Sequence, residues 1–178
     1  MAYEVPVTRL LDKPILQGLQ QSNATAMHEV GTIVTSADGK QFEYVYMECS
    51  GVACYSGRPM VWVDGTTDYL VTPDCSDAAT GNAAGGSGGF AGVATMNLID
   101  EDNAYIWIQT KGIVQSAIVS SAVALNDALI PEAEDCFDDL TTYHTSATST
   151  HWKVIGHALT VATTGIAGLH SCATIMLL

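Results

Sequence analysis

Positive charge is scarce in this chain. Lys and Arg number 6 among 178 residues, against 19 Asp and Glu, giving a formal net charge of −13. The six are Arg9, Lys13, Lys40, Arg58, Lys111 and Lys153, scattered along the sequence. They form no basic stripe to neutralise phosphates, so nucleic acid is not an expected partner. Charge of either sign is sparse, at 14% of residues, and the polar surface falls largely to Thr, Ser, Asn and Gln. No run reaches the ~18 apolar residues that a bilayer span needs. The opening MAYEVPVTRLL has no basic region followed by an apolar core, so neither a membrane nor a secretory leader is expected.

Motifs that carry chemistry are equally thin. Cys49, Cys54, Cys75, Cys136 and Cys172 include no C-x-x-C pair and no zinc spacing. A Cys49–Cys54 bridge is geometrically conceivable across a hairpin, but reduced thiols made in a cytosol are the simpler expectation. His144, His151 and His157 lie close in sequence to Glu134, Asp135 and Asp138. They lack the i, i+4 His pair with an intervening Glu that defines a metal hydrolase helix. No G-x-S-x-G elbow occurs, and Gly85–Gly89 lacks the Lys-Ser/Thr of a phosphate loop. Asp100-Glu101-Asp102-Asn103 has oxygens for calcium but not the twelve-residue loop, so a solvated turn is expected there. The expectation is a protein with no catalytic residue, no metal site and no cofactor.

What the sequence does contain is strand chemistry. In Ala104–Thr110, Tyr105, Trp107 and Gln109 alternate with Ile106 and Ile108, as side chains do on opposite faces of a strand. Phe90–Ile99 precedes it across the acidic tetrad, which predicts a hairpin at the centre of the domain. Thr32–Thr35 and Gln41–Glu48 flank Asp38-Gly39, a strong hairpin signal because both residues tolerate positive φ. Further strands are expected at Met60–Val63, Tyr69–Thr72, Gly112–Val119, Trp152–Thr160 and Ala173–Leu178. Residues 73–89 read as a loop, the acidic Pro131–Asp139 segment as an exposed loop with at most a helical turn, and Thr141–Thr150 as a hydroxyl-rich segment. Gly-x-Ala recurs at Gly51, Gly92 and Gly156, a pattern that lets one strand approach another closely.

Residues 1–30 differ from the rest. Pro6 and Pro14 interrupt any regular element, while Val5, Val7, Leu10, Leu11, Ile15 and Leu16 offer apolar anchors without a helical or strand period. Such a segment gains more by lying across a neighbouring subunit than by folding on itself. The expected organisation is therefore an extended N-terminal arm, 1–30, and a β-rich domain, 31–178. The fold class is mainly β, a small β-barrel or sandwich. Tyr44, Tyr46, Trp62, Tyr105 and Trp107 are expected to serve as core or interface aromatics.

The order of these features resembles bacteriophage head decoration, or capsid cement, proteins. The resemblance runs from Gly31 to Leu178. It rests on Gly31-Thr32-Ile33, on Ala37 to Val45, on Phe90 to Ala94, and on Ala104 to Gly112 after an acidic turn. It ends with Val154 to Leu159, Gly165 to Leu169 and an apolar closing strand. The chain departs from the pattern in its long Ser-Gly loop, its acidic and Thr-rich 131–150 insertion and its frequent Cys. The resemblance implies a β-barrel or β-tulip-like domain that trimerises on the outer surface of an icosahedral head and stabilises it by bridging major capsid protein subunits. The arm residues Val5, Pro6, Val7, Leu10, Leu11, Pro14, Ile15 and Leu16 would then make capsid or intersubunit contacts. A host- or glycan-binding head fibre module is the alternative.

Overall fold

The computed structural model describes residues 24–48, 52–63, 69–75, 89–97, 104–120, 123–132, 136–139, 154–164 and 171–178. Every element it defines there is a strand: β1 (Ile33–Thr35), β2 (Gln41–Met47), β3 (Pro59–Trp62), β4 (Leu70–Thr72), β5 (Phe90–Ala94), β6 (Ala104–Val119), β7 (Ala128–Glu132), β8 (Cys136–Asp139), β9 (Gly156–Ala158), β10 (Thr163–Thr164) and β11 (Ser171–Leu177). The mainly-β, small-barrel class expected from the pattern is the class observed.

The strand β6 organises the molecule, because it belongs to two closed rings. Its first half pairs antiparallel with β2, from Met47↔Ala104 to Gln41↔Lys111, and with β5 at Val93↔Gln109 and Ala94↔Ile108. β5 pairs with β3, β3 with β4, and β4 returns to β2 in parallel at Tyr46↔Leu70 and Met47↔Val71, closing a five-stranded barrel. The second half of β6 pairs with β11, and pairing continues through β9, β7 and β8. β8 meets β6 again at Val119↔Phe137. The short strands β1 and β10 flank the rings on β2 and β11. Closure leaves few open edges, which are otherwise templates for unwanted pairing.

Each ring has its own core. Val45, Met47, Met60, Val71, Ile106 and Ile108 fill the first; Val114, Val119, Leu129, Phe137, Ile175 and Leu177 fill the second. Both sets are aliphatic or thioether side chains rather than aromatic, apart from Phe137. Alternation along β6 would send Val114 and Ala117 to opposite faces, yet both belong to the second core. A register shift opposite Ala173/Ile175 inserts the extra β6 residue that resets the alternation. Ile113 falls on the exposed side of this adjustment.

Two of the three Gly-x-Ala repeats act as expected. A Cβ on Gly92 would lie 2.8 Å from the Gln109 carbonyl oxygen, and one on Gly156 would overlap the Met176 carbonyl. Gly51 lies outside the described residues. The Asp38-Gly39 hairpin also forms, with Gly39 at φ 82° and β1 paired to β2.

The Pro131–Asp139 segment does not remain an exposed loop. β7 and β8 form an antiparallel pair, and Cys136–Asp139 is buried throughout, including both carboxylate residues. Cys136 and Phe137 are small and large apolar side chains with a place in the interior, and they carry the adjacent acids inward. Asp138 is accommodated by accepting hydrogen bonds from Ser120 Oγ and, at 2.8 Å, from the Asp139 N–H. Gly112–Val119 is also no separate strand: it continues Ala104–Lys111 without a break.

Candidate interaction face

The outward face of β2 and β6 gathers four of the five aromatics singled out in the sequence. Phe42, Tyr44 and Tyr46 leave β2 on one side, because Val45 and Met47 point into the first ring. Tyr44 is fully buried and Trp107 nearly so, their ring centroids 5.0 Å apart. Val34 and Phe42 complete this outer cluster.

The cover over Tyr44 and Trp107 comes from the end of the expected arm. The Met27 N–H donates to Tyr44 Oη at 3.1 Å. The His28 ring meets Tyr44 edge-on at 5.1 Å and lies 5.3 Å from Trp107. Val30 packs on the same cluster, and the Gly31 N–H donates to the Tyr44 carbonyl at 2.7 Å. Residues 27–31 are thus fastened to the barrel by the Tyr44 phenol, one backbone hydrogen bond and ring contacts. The arm anchors Val5, Pro6, Val7, Leu10, Leu11, Pro14, Ile15 and Leu16 lie outside the described residues.

Beside the covered cluster lies a half-buried pair. Tyr46 and Tyr105 are direct partners across β2 and β6, with ring centroids 4.8 Å apart. Tyr105 also stacks on Tyr44 at 6.0 Å with an interplanar angle of 17°. Aromatic pairs in this range add attraction beyond simple burial. Trp62 does not join them. It packs on the first ring's core and meets Tyr69 at 6.3 Å.

A second feature lies at the junction of the two rings. β5 stops pairing with β6 after Gln109, and β11 occupies the opposite edge further on. The space left is a groove of about 360 Å³ lined by Lys40, Phe42, Ser56, Thr95, Gln109 and Ser116 among others. Gln109 is buried, and its Nε2 donates to the carbonyls of Lys111 and Ile113, each at 3.1 Å. An amide side chain thereby serves carbonyls that a neighbouring strand would otherwise bind. Thr95 Oγ1 adds a 2.7 Å bond to the Trp107 carbonyl. Sequence alternation placed Gln109 on the Trp107 face but gave no sign of this role, because the bend it spans is set by strands distant in sequence.

Two carboxylates are shifted in opposite directions. Burial raises the Glu43 pKa by disfavouring its charged form. The Ser36 hydroxyl, and then Lys40 at 3.2 Å, lower that of Asp38.

The histidines do not assemble into a described centre. His157 is exposed on β9, while His144, His151 and His170 lie outside the described residues, as do Glu134 and Asp135. Among the described residues no group of three or more His, Cys, Asp and Glu is placed to hold a metal ion. Cys49 and the acidic tetrad Asp100–Asn103 are likewise outside the described residues; the Cys54, Cys75 and Cys136 side chains are buried.

No protein-family model matches the chain, and no curated protein matches it.

Proposed function

We propose that this chain is a structural virion protein, a decoration or cement protein. It would bind the outer surface of an icosahedral phage head and stabilise it by bridging neighbouring major capsid subunits. The observation that supports this reading is the attachment of residues 27–31 to the aromatic face of β2 and β6. Residues 27–31 dock on Tyr44 and Trp107, so the preceding arm starts from the face that also presents Tyr46 and Tyr105. A half-buried aromatic shelf suits contact with a neighbouring subunit. A compact two-ring body gives that surface a rigid support.

The physical role follows from linkage. A molecule that binds only the assembled shell stabilises it by mass action, and several weak contacts on one rigid body add through effective concentration. As a homotrimer, each molecule would present three arms. In this role the protein needs no cofactor and acts on no substrate. It is made in the host cytoplasm and ends on the capsid surface.

The test is sedimentation of purified protein with expanded heads that lack it. Co-sedimentation, lost when residues 1–23 are deleted, supports the reading. Failure of the full chain to bind contradicts it. The Tyr46–Tyr105 pair favours one other reading, a host- or glycan-binding head fibre module, because paired half-buried rings suit the apolar face of a sugar. Binding on a glycan array, lost in Tyr105→Ala, would support that alternative.

A further inference from the structure

Negative charge is unevenly spread over the described residues. Residues 24–48 carry Glu29, Asp38, Glu43 and Glu48, and Asp74 follows β4. Residues 112–120, 154–164 and 171–178 contain no Asp, Glu, Lys or Arg. These three stretches build one continuous sheet. The second half of β6 lies along one edge of β11, and β9 and β10 share its other edge.

One side of that sheet fills the second ring, and the other faces outward. Ile175 and Leu177 point into the core, so Met176 between them leaves on the outer side, where it is half-buried. Its cross-strand partners are Ile113 on β6 and His157 on β9, and His157 pairs in turn with Ala128 on β7. Ile113 is 40% exposed, and His157 is exposed as well. Leu159 and Val161, 38% and 55% exposed, extend the apolar surface beyond β9. With a rise of ~3.3 Å per residue and strands ~4.8 Å apart, the length of β11 and the width of four strands give roughly 400 Å² of projected area. Uncharged, partly apolar patches of this size mark interaction sites.

The charge pattern selects the occupant. Copies of a chain with net charge −13 repel one another, and the repulsion is least where neither copy brings a carboxylate to the contact. Moving outward from the Ile113–Met176–His157–Ala128 row, the first ionised side chains along its outer strands are Lys111 in β6 and Asp127 before β7. They stand at opposite margins and have opposite sign. A head-to-tail contact therefore sets the lysine margin of one copy beside the aspartate margin of the next, the arrangement that closes into a ring.

We propose that this face is where copies of the chain meet, turned inward around the axis of the homotrimer proposed above, on which this assignment rests. The small area makes the assembly reversible rather than obligate. The Tyr46–Tyr105 shelf belongs to the first half of β6, so assembly through this face uses none of its residues.

Sedimentation equilibrium of the full-length protein tests the assignment without any capsid. The parent protein has the mass of three chains at hundreds of micromolar and dissociates on dilution. The double variant I113E/H157E brings acid to two exposed positions of the face and raises the midpoint concentration at least tenfold, because like charges then meet in the contact. T35E adds acid at an exposed position of β1, outside the face, and leaves the midpoint unchanged. Circular dichroism melting confirms that the variants are folded, and H157E alone replaces the double variant if that one is not. A parent protein that stays monomeric at hundreds of micromolar overturns the trimer and this face together. A three-chain parent whose folded I113E/H157E variant assembles as well as T35E leaves the trimer standing and overturns the face. Equal loss of assembly in T35E and H157E also overturns it, because net charge alone would then govern association.

Discussion

Gly57 lies against the carbonyl of Ser116, so closely that a Cβ on Gly57 would overlap that oxygen. The same glycine donates its N–H to the Ala94 carbonyl at 2.9 Å, and its own carbonyl accepts from the Ile118 N–H at 2.8 Å. It therefore ties the end of β5, in the first ring, to the second half of β6, in the second. Its φ is 90°, a conformation that a side chain disfavours.

Gly57→Ala combines that backbone strain with a collision against main chain, which cannot swing aside as a side chain can. The expected loss is about 3 kcal/mol of folding stability. Urea denaturation measures it. Gly39→Ala is the control: Gly39 also has positive φ, but a Cβ there meets open space, so the loss should be smaller.

Tyr44 holds the start of the described chain to the barrel. Tyr44→Phe removes the acceptor for the Met27 N–H while keeping the ring, at an expected cost of about 1 kcal/mol. Trp107→Ala empties the site under His28 and should cost about 3–5 kcal/mol. In Tyr44→Phe, limited proteolysis should cleave before residue 31 faster than in the parent protein, with the barrel intact. Unchanged cleavage would mean that the ring contacts alone secure this segment.

Gln109→Ala leaves the carbonyls of Lys111 and Ile113 without their side-chain donor. Water can reach an open groove, so the loss should stay near 1–2 kcal/mol rather than the larger cost of a sealed orphan. Gln109→Glu should be worse, because a carboxylate has no proton to give and would face those carbonyls directly. Thermal unfolding of the three proteins tests the order.

Glu43 and Asp38 give opposite pH signatures. The folded pKa of Glu43 is raised, so the folded state holds its proton more tightly than the unfolded state. Stability from this group falls as pH rises from the ordinary glutamate range through the raised value. Glu43→Gln should therefore stabilise the protein at neutral pH and have little effect well below that window. For Asp38 the folded pKa is lowered, chiefly by Ser36. Its contribution is present above the ordinary aspartate range and lost as pH falls through the lowered value. Asp38 is exposed, so the effect of Ser36→Ala should be small and reduced by salt. Melting temperature as a function of pH measures both.

Much of the barrel could be read from alternation. Phe42, Tyr44 and Tyr46 opposite Val45 and Met47, with Ile106 and Ile108 opposite Tyr105 and Trp107, define two strands and their inner faces. Asp38-Gly39 identified its hairpin for a reason local to two residues. What escaped was set over longer range. Gly112 reads as a stop, yet β6 passes through it because β2 and β11 continue on the same strand. The parallel β2–β4 pairing has no local signature. Asp138 and Asp139 read as solvent-facing because sequence shows their charge but not the Ser120 hydroxyl that receives one of them. The aromatic face was legible as a set of residues; the fastening of residues 27–31 over it was not, since it depends on a phenol seventeen residues away from Met27.

The proposed role is to hold on to an assembled shell. The most direct measurement is the mechanical or thermal rupture of expanded heads with and without the purified protein, at saturating occupancy. Coated heads should survive higher temperature, and protein lacking residues 1–23 should give less of this protection. Heads that rupture at the same temperature whether coated or bare would contradict it.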